Sequence, residues 1–136
     1  MTLALQYCHI TVDDMDEAIA FYRDALGFKV TDDNGSGQQR WVSLTGPVYG
    51  GPELVLSSPY AGRSQEDGDA LRDLLVKGVL PMIVFSSDDL DADFERARAT
   101  GAEILQEPID RPYGVRDAAF RDPAGNTVRF HQPLNR

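Results

Sequence analysis

Apolar and polar residues alternate from residue 3 to residue 12, the period-two pattern of a half-buried strand. Cys8, Ile10 and Val12 fall on one face, and Tyr7, His9 and Thr11 on the other. The period then changes. Met15, Ile19, Tyr22 and Leu26 recur at helical spacing, with Phe21 and Tyr22 at core-like positions. Asp14 is placed to cap this helix, Glu17 completes a capping-box pattern, and Gly27 supplies a stop. Residues 28–31, 40–44 and 53–57 predict three strands, the first two separated by the turn-rich segment 32–38.

The segment from about 59 to 78 breaks the pattern with Pro59, Gly62, Ser64 and Gly68 and predicts an exposed connection. A short helix is expected over 69–77, with Leu71, Leu74 and Leu75 on one face. Beyond it the first half is repeated. A strand over 80–86 leads to a helix capped by Asp89, with Leu90, Phe94 and Ala97 inward and an end at Gly101. Strands follow over 103–106, 115–120 and 127–132, the last two joined by the tight turn Asp122-Pro123-Ala124-Gly125-Asn126. DDMDEAIAFYRDALGF from Asp13 answers DDLDADFERARATGAE from Asp88. The chain is thus one α+β domain, residues 1–136, of two βαβββ modules, about 1–58 and 79–136. A sheet with a helix on one side only leaves its other face to form a ligand cleft.

Composition narrows the function classes. A formal net charge of -9 disfavours nucleic acid and anionic membranes as partners. No apolar stretch is long enough to span a bilayer, and the N-terminus lacks the basic region of a signal peptide. The single cysteine, Cys8, excludes an intramolecular disulfide and suits a cytoplasmic protein. Its helix-facing position predicts a buried, inert thiol. There is no Gly-rich phosphate loop, CxxC pair or nucleophile elbow.

Four motifs in order, ITVDDMDEAIAFYRDALGFKV, RWVSL, PELVL and FRDPAGNTVRF, resemble those of the vicinal oxygen chelate superfamily, the glyoxalase, bleomycin-resistance and extradiol-dioxygenase group. The resemblance spans nearly the whole chain apart from the connection. It implies paired βαβββ modules, usually in a homodimer, with curved sheets enclosing a ligand. Metal-binding members hold a divalent ion with His, Gln or Glu from the first and fourth strands of each module. Those positions correspond here to Tyr7, Glu53, Met82 and Arg129. Only Glu53 is a competent ligand. A thioether is a poor donor for such ions, and a guanidinium has no lone pair to give and repels a cation. Glu53 and Arg129 are instead expected to face each other as a charge-assisted pair in the metal's place.

The resemblance therefore implies a metal-free small-molecule-binding protein, with drug or metabolite sequestration as one use. An apolar or aromatic ligand would lie among Tyr7, Trp41, Met82 and Tyr113, with Glu53 and Arg129 as polar contacts and His9 and His131 lining or rimming the cleft. Trp41 suits stacking or the core, and Tyr113 closure over a ligand. Arg116 and Asp117 read as a surface pair. The alternative is a lyase, isomerase or dioxygenase. It would use a displaced His9, Glu53 and His131 set for Fe, Mn, Ni or Zn, or, with no metal, Tyr7 and Glu53 as acid and base.

Overall fold

In the computed structural model, which describes residues 1–48 and 50–134, the repeat forms two four-stranded sheets. The first module comprises β1 (Tyr7–Thr11), α1 (Met15–Asp24), β2 (Lys29–Asn34), β3 (Trp41–Thr45) and β4 (Glu53–Ser57). Helix α2 (Gln65–Lys77) leads to the second module, β5 (Ile83–Ser86), α3 (Leu90–Ala99), β6 (Glu103–Arg111), β7 (Val115–Arg121) and β8 (Thr127–Pro133). The strand orders are β1-β4-β3-β2 and β5-β8-β7-β6. In each sheet the first and last strands of the module run parallel, and every other pair is antiparallel. A parallel pair needs a long crossover, which the helix and two intervening strands provide.

Each helix begins where a short polar side chain satisfies an otherwise orphaned N–H. Asp14 accepts from Glu17 N at 3.1 Å, Ser64 from Asp67 N at 3.1 Å, and Asp89 from Ala92 N at 3.2 Å. Helix α1 buries Ala18, Phe21 and Tyr22, and α3 buries Leu90, Phe94 and Ala97. Against them lie the helix-side residues of both sheets: Ile10, Val42, Leu44, Leu54 and Leu56 from the first, Ala118, Phe120, Val128 and Phe130 from the second. These residues belong to one continuous core, so the helix-covered sides of the two sheets are held together. Cys8 packs half-buried against it, on the expected face. Phe28 and Phe85 meet edge to face across the modules, 5.7 Å between ring centres.

Several boundaries differ from the sequence expectation. Strand β1 begins at Tyr7 because β4, the strand it pairs with, begins at Glu53. Residues 32–34, expected in a turn, extend β2 against β3 past a register shift between Val30 and Asp32. Helix α2 starts four residues earlier than expected because Ser64 caps it, and of its three leucines only Leu75 is fully buried while Leu74 is exposed. Strand β6 runs on to Arg111, and Pro108 is tolerated because β6 is a sheet edge where no ladder N–H is needed.

The connection is anchored where α2 meets the β7–β8 turn. Gly125 has φ +120°, and a Cβ there would stand 2.3 Å from the Leu75 carbonyl oxygen. Both the backbone conformation and this approach exclude a side chain. Gly125→Ala is therefore expected to destabilise the fold by about 2–4 kcal/mol. Urea denaturation measures this, and a loss under about 0.5 kcal/mol would mean that the turn and α2 separate freely.

Candidate functional site

Away from the shared core, each curved sheet presents an open face. On the first, alternation and register place Tyr7, His9 and Thr11 beside Glu53, Val55 and Ser57, and these in turn beside Thr45, Ser43 and Trp41. Tyr7 lies directly opposite Glu53. The Glu53 carboxylate accepts from Thr31 Oγ1 at 2.7 Å and Thr45 Oγ1 at 3.4 Å, and among the described residues it meets no cation. Tyr7, 44% exposed, stands beside the hydroxyl-bound Glu53 carboxylate, whereas Trp41, 37% exposed, stands beside Ser57 at the other end of the face, with Val55 and Ser43 buried between them. Trp41 is thus outside the core, where stacking on a flat ligand is available to it.

The second face is differently charged. Arg129 lies between Val84 and Ala119, and His131 between Ser86 and Asp117. Asp117 is only 5% exposed. Its carboxylate accepts from Gln106 Nε2 at 2.6 Å and from Arg111 Nε at 3.0 and 3.2 Å, and lies 3.5 Å from Arg129 Nη1. The Gln106 carbonyl oxygen accepts from both arginines, Arg111 Nη2 at 2.6 Å and Arg129 Nη1 at 3.1 Å. Burial alone pushes the Asp117 carboxyl up. Gln106, Arg111 and Arg129 outweigh it and hold the group below the ordinary carboxylate value. Two guanidiniums thus share one carboxylate.

Two expectations fail here. Within one chain Glu53 and Arg129 do not pair: they lie on open faces of different sheets, each turned from the common core, and each has partners of its own. Arg116 and Asp117 are not a surface pair either. As neighbours in a strand they point to opposite faces, and Arg116 instead bonds Asp91 and Asp110 at 3.0 and 2.9 Å. Met82 falls just before β5 and is half exposed, while Tyr113 stands in the β6–β7 turn at 72% exposure. His9 is exposed on the first sheet and His131 half-buried on the second. Among the described residues no three His, Cys, Asp or Glu side chains gather to hold an ion, so His9, Glu53 and His131 are not brought together.

Sequence reasoning missed Gln106 and Arg111, both on a β6 longer than expected. It also read the Asp122–Asn126 turn as a simple reversal. Asp122, 3% exposed, accepts from the backbone N–H of Ala124, Gly125 and Asn126 at 3.0, 2.9 and 2.8 Å, from Asn126 Nδ2 at 2.8 Å, and from Tyr22 Oη of the other module at 2.7 Å. Asn126 Nδ2 also donates to the Thr11 carbonyl at 2.9 Å. Burial and the Asp122 charge push the Tyr22 phenol well above its ordinary value, which keeps it a donor. A groove of about 660 Å³ runs along this seam, lined by Asp13, Glu17, Asp24 and Glu103 with Arg121 as its cation. It follows the structural joint between modules and is lined by none of Tyr7, Trp41, Glu53, Arg111, Asp117 and Arg129, so the sheet faces that carry these residues are the candidate site.

A sheet of this order, repeated after one helix each time and left open on its far side, defines a class. The chain belongs to the glyoxalase/bleomycin resistance protein/dioxygenase superfamily, which it matches over residues 4–130. Among its relatives, the crystal structure of UcmS2 superposes with a TM-score of 0.85 at 35% identity, covering 96% of this chain and 98% of that one. TnmS3, an antibiotic binding protein from Streptomyces sp. CB03234, superposes with a TM-score of 0.74 at 27% identity over 97% of each chain. The anthracycline biosynthesis protein DauV of Streptomyces sp. strain C5 is 30% identical over 122 residues, 88% of this chain and 38% of that protein. Among the described residues no helix is long and apolar enough to cross a membrane.

Proposed function

We propose that this chain is a cytoplasmic small-molecule-binding protein with a degenerate metal site, which sequesters a drug or metabolite on its open sheet faces. The observation that carries the reading is Arg129. Where metal-binding members of the family present a carboxylate, this chain presents a guanidinium, fixed by Gln106 and Asp117. The residues present do not fit a divalent ion. Tyr7 and Glu53 are adjacent, but Met82 offers a thioether and Arg129 a permanent positive charge. What the open faces do offer is exposed aromatic and aliphatic surface, with Tyr7, Trp41, Met82, Val84 and Ile109 between 37% and 53% exposed, beside a few fixed polar groups. This is the composition of a site for a flat organic molecule. The likeness to an antibiotic binding protein supports a drug-sized ligand.

Both open faces turn away from the shared core, so a cleft walled by the two sheets requires a second copy. We take the binding unit to be a homodimer in which the first sheet of one copy closes over the second sheet of its partner.

Elemental mass spectrometry of untagged protein, before and after incubation with Fe, Mn, Ni or Zn and desalting, tests the metal reading. Substoichiometric metal throughout is expected. One tightly held ion per chain would overturn it and make His9, Glu53 and His131 the residues to mutate. Thermal-shift screening of aromatic antibiotics tests the ligand reading. A ligand at a hundred times its Kd is expected to add about 2.7 kcal/mol of stability. Steady turnover of a compound, lost in Tyr7→Phe and Glu53→Gln, would replace binding by catalysis.

A further inference from the structure

Resting on that reading of the open faces, we infer that the second sheet is an anion receptor, and that the ligand is an apolar organic acid whose carboxylate docks on Arg129 and Arg111. The charge balance on this face carries the inference. Arg111, Arg129 and Asp117 leave one positive charge in excess within a single hydrogen-bonded cluster. Nothing else in the cluster balances it, since Gln106 is neutral and bridges the two cations through its carbonyl oxygen. A chain of net charge -9 carries no general attraction for anions, so an excess cation on this face acts only at short range.

The donors are also free and fixed. Arg129 engages only Nη1 among the described residues, leaving Nε and Nη2 without partners, and its side chain is 25% exposed. Arg111 is 31% exposed and engages Nε and Nη2. Guanidinium donors whose orientation is set beforehand by Gln106 and Asp117 lose little freedom on taking up a carboxylate, whose two oxygens match the planar fork. The surroundings select what the carboxylate is attached to. Val84 sits beside Arg129 and Ile109 beside Asp117 on the same face, 53% and 41% exposed. A small inorganic anion leaves these aliphatic groups wet, whereas an acid with an apolar body covers them.

The test uses two probes of one shape, 2-naphthoate and 2-naphthamide, with binding to the full-length protein measured by calorimetry. The parent is expected to prefer the carboxylate by about tenfold. Arg129→Gln should abolish that preference by weakening naphthoate alone. Arg116→Gln, on the opposite face of β7, should leave both affinities unchanged. Should Arg129→Gln fail to fold, Arg111→Gln serves in its place and should narrow the preference likewise. Equal binding of both probes, or a preference that survives these substitutions, would overturn the anion receptor and leave the binding function standing. Binding of neither probe would overturn both.

Discussion

Asp122→Ala is expected to cost about 4 kcal/mol of folding free energy, a large share of the 5–15 kcal/mol that holds a domain of this size together. Among the described residues the carboxylate gathers five donors, none of them a cation, and it is almost wholly buried. Its charge is balanced by oriented N–H and O–H dipoles alone, in the manner of an anion held in a backbone nest. Truncation leaves three main-chain N–H groups, the Asn126 amide and the Tyr22 hydroxyl facing a small void. Each unsatisfied donor costs about 1–3 kcal/mol, and water entering the void recovers part of the sum. Tyr22→Phe removes one of the five donors and should cost about 1–2 kcal/mol. Because the two groups touch, the losses should not add, and a double-mutant cycle should return a coupling of about 1 kcal/mol or more. Chemical denaturation supplies all four stabilities. Additive losses would mean that Tyr22 and Asp122 do not share a bond in solution.

Asp117→Asn comes next in size, with an expected loss of about 3 kcal/mol at neutral pH. The substitution keeps the shape of the side chain and removes the charge that two guanidiniums share, so Arg111 and Arg129 are left against one another around Gln106. The pH dependence identifies the cause. The folded carboxyl lies below its unfolded value of about 3.9, so its stabilisation is fully present above that value and is lost as pH falls through the folded one. The stability gap between parent and Asp117→Asn should therefore be constant from neutral pH down to about pH 5 and shrink in stronger acid. A gap that stays constant through the acid range would assign the loss to shape instead of charge.

How much of this was legible in the sequence depends on whether the signal was local. Asp14 and Asp89 each stand at the change from period two to helical period, and each caps its helix as expected. Glu53–Ser57 was bounded correctly because an acidic residue and a serine fence an apolar run. Strands that depend on a distant partner were harder to bound. Asp32 and Asp33 carry no apolar alternation because β2 is an exposed edge, and only β3 beside them makes them a strand. Arg111 was missed for the same reason. Its strand passes through Pro108, which looks like a break until β6 is known to be an edge. The expected Arg116–Asp117 pair failed against a local rule: adjacent strand residues cannot share a face. The Glu53–Arg129 pair failed on how two modules are arranged, which no pattern within one module records.

The tie between Tyr22 and Asp122 joins residues 100 positions apart, and that between Asn126 and Thr11 spans 115. Contacts of such separation form after the strands and helices that present them, because closing long loops early costs chain entropy before any bond repays it. Each module is therefore expected to gather its own sheet first, with the Tyr22–Asp122 and Asn126–Thr11 bonds closing the joint late. A bond made late is absent from the folding transition state, so weakening it speeds unfolding more than it slows folding. Tyr22→Phe should therefore raise the unfolding rate more than it lowers the folding rate, a division that stopped-flow kinetics measures, although the bond lies away from the candidate ligand faces.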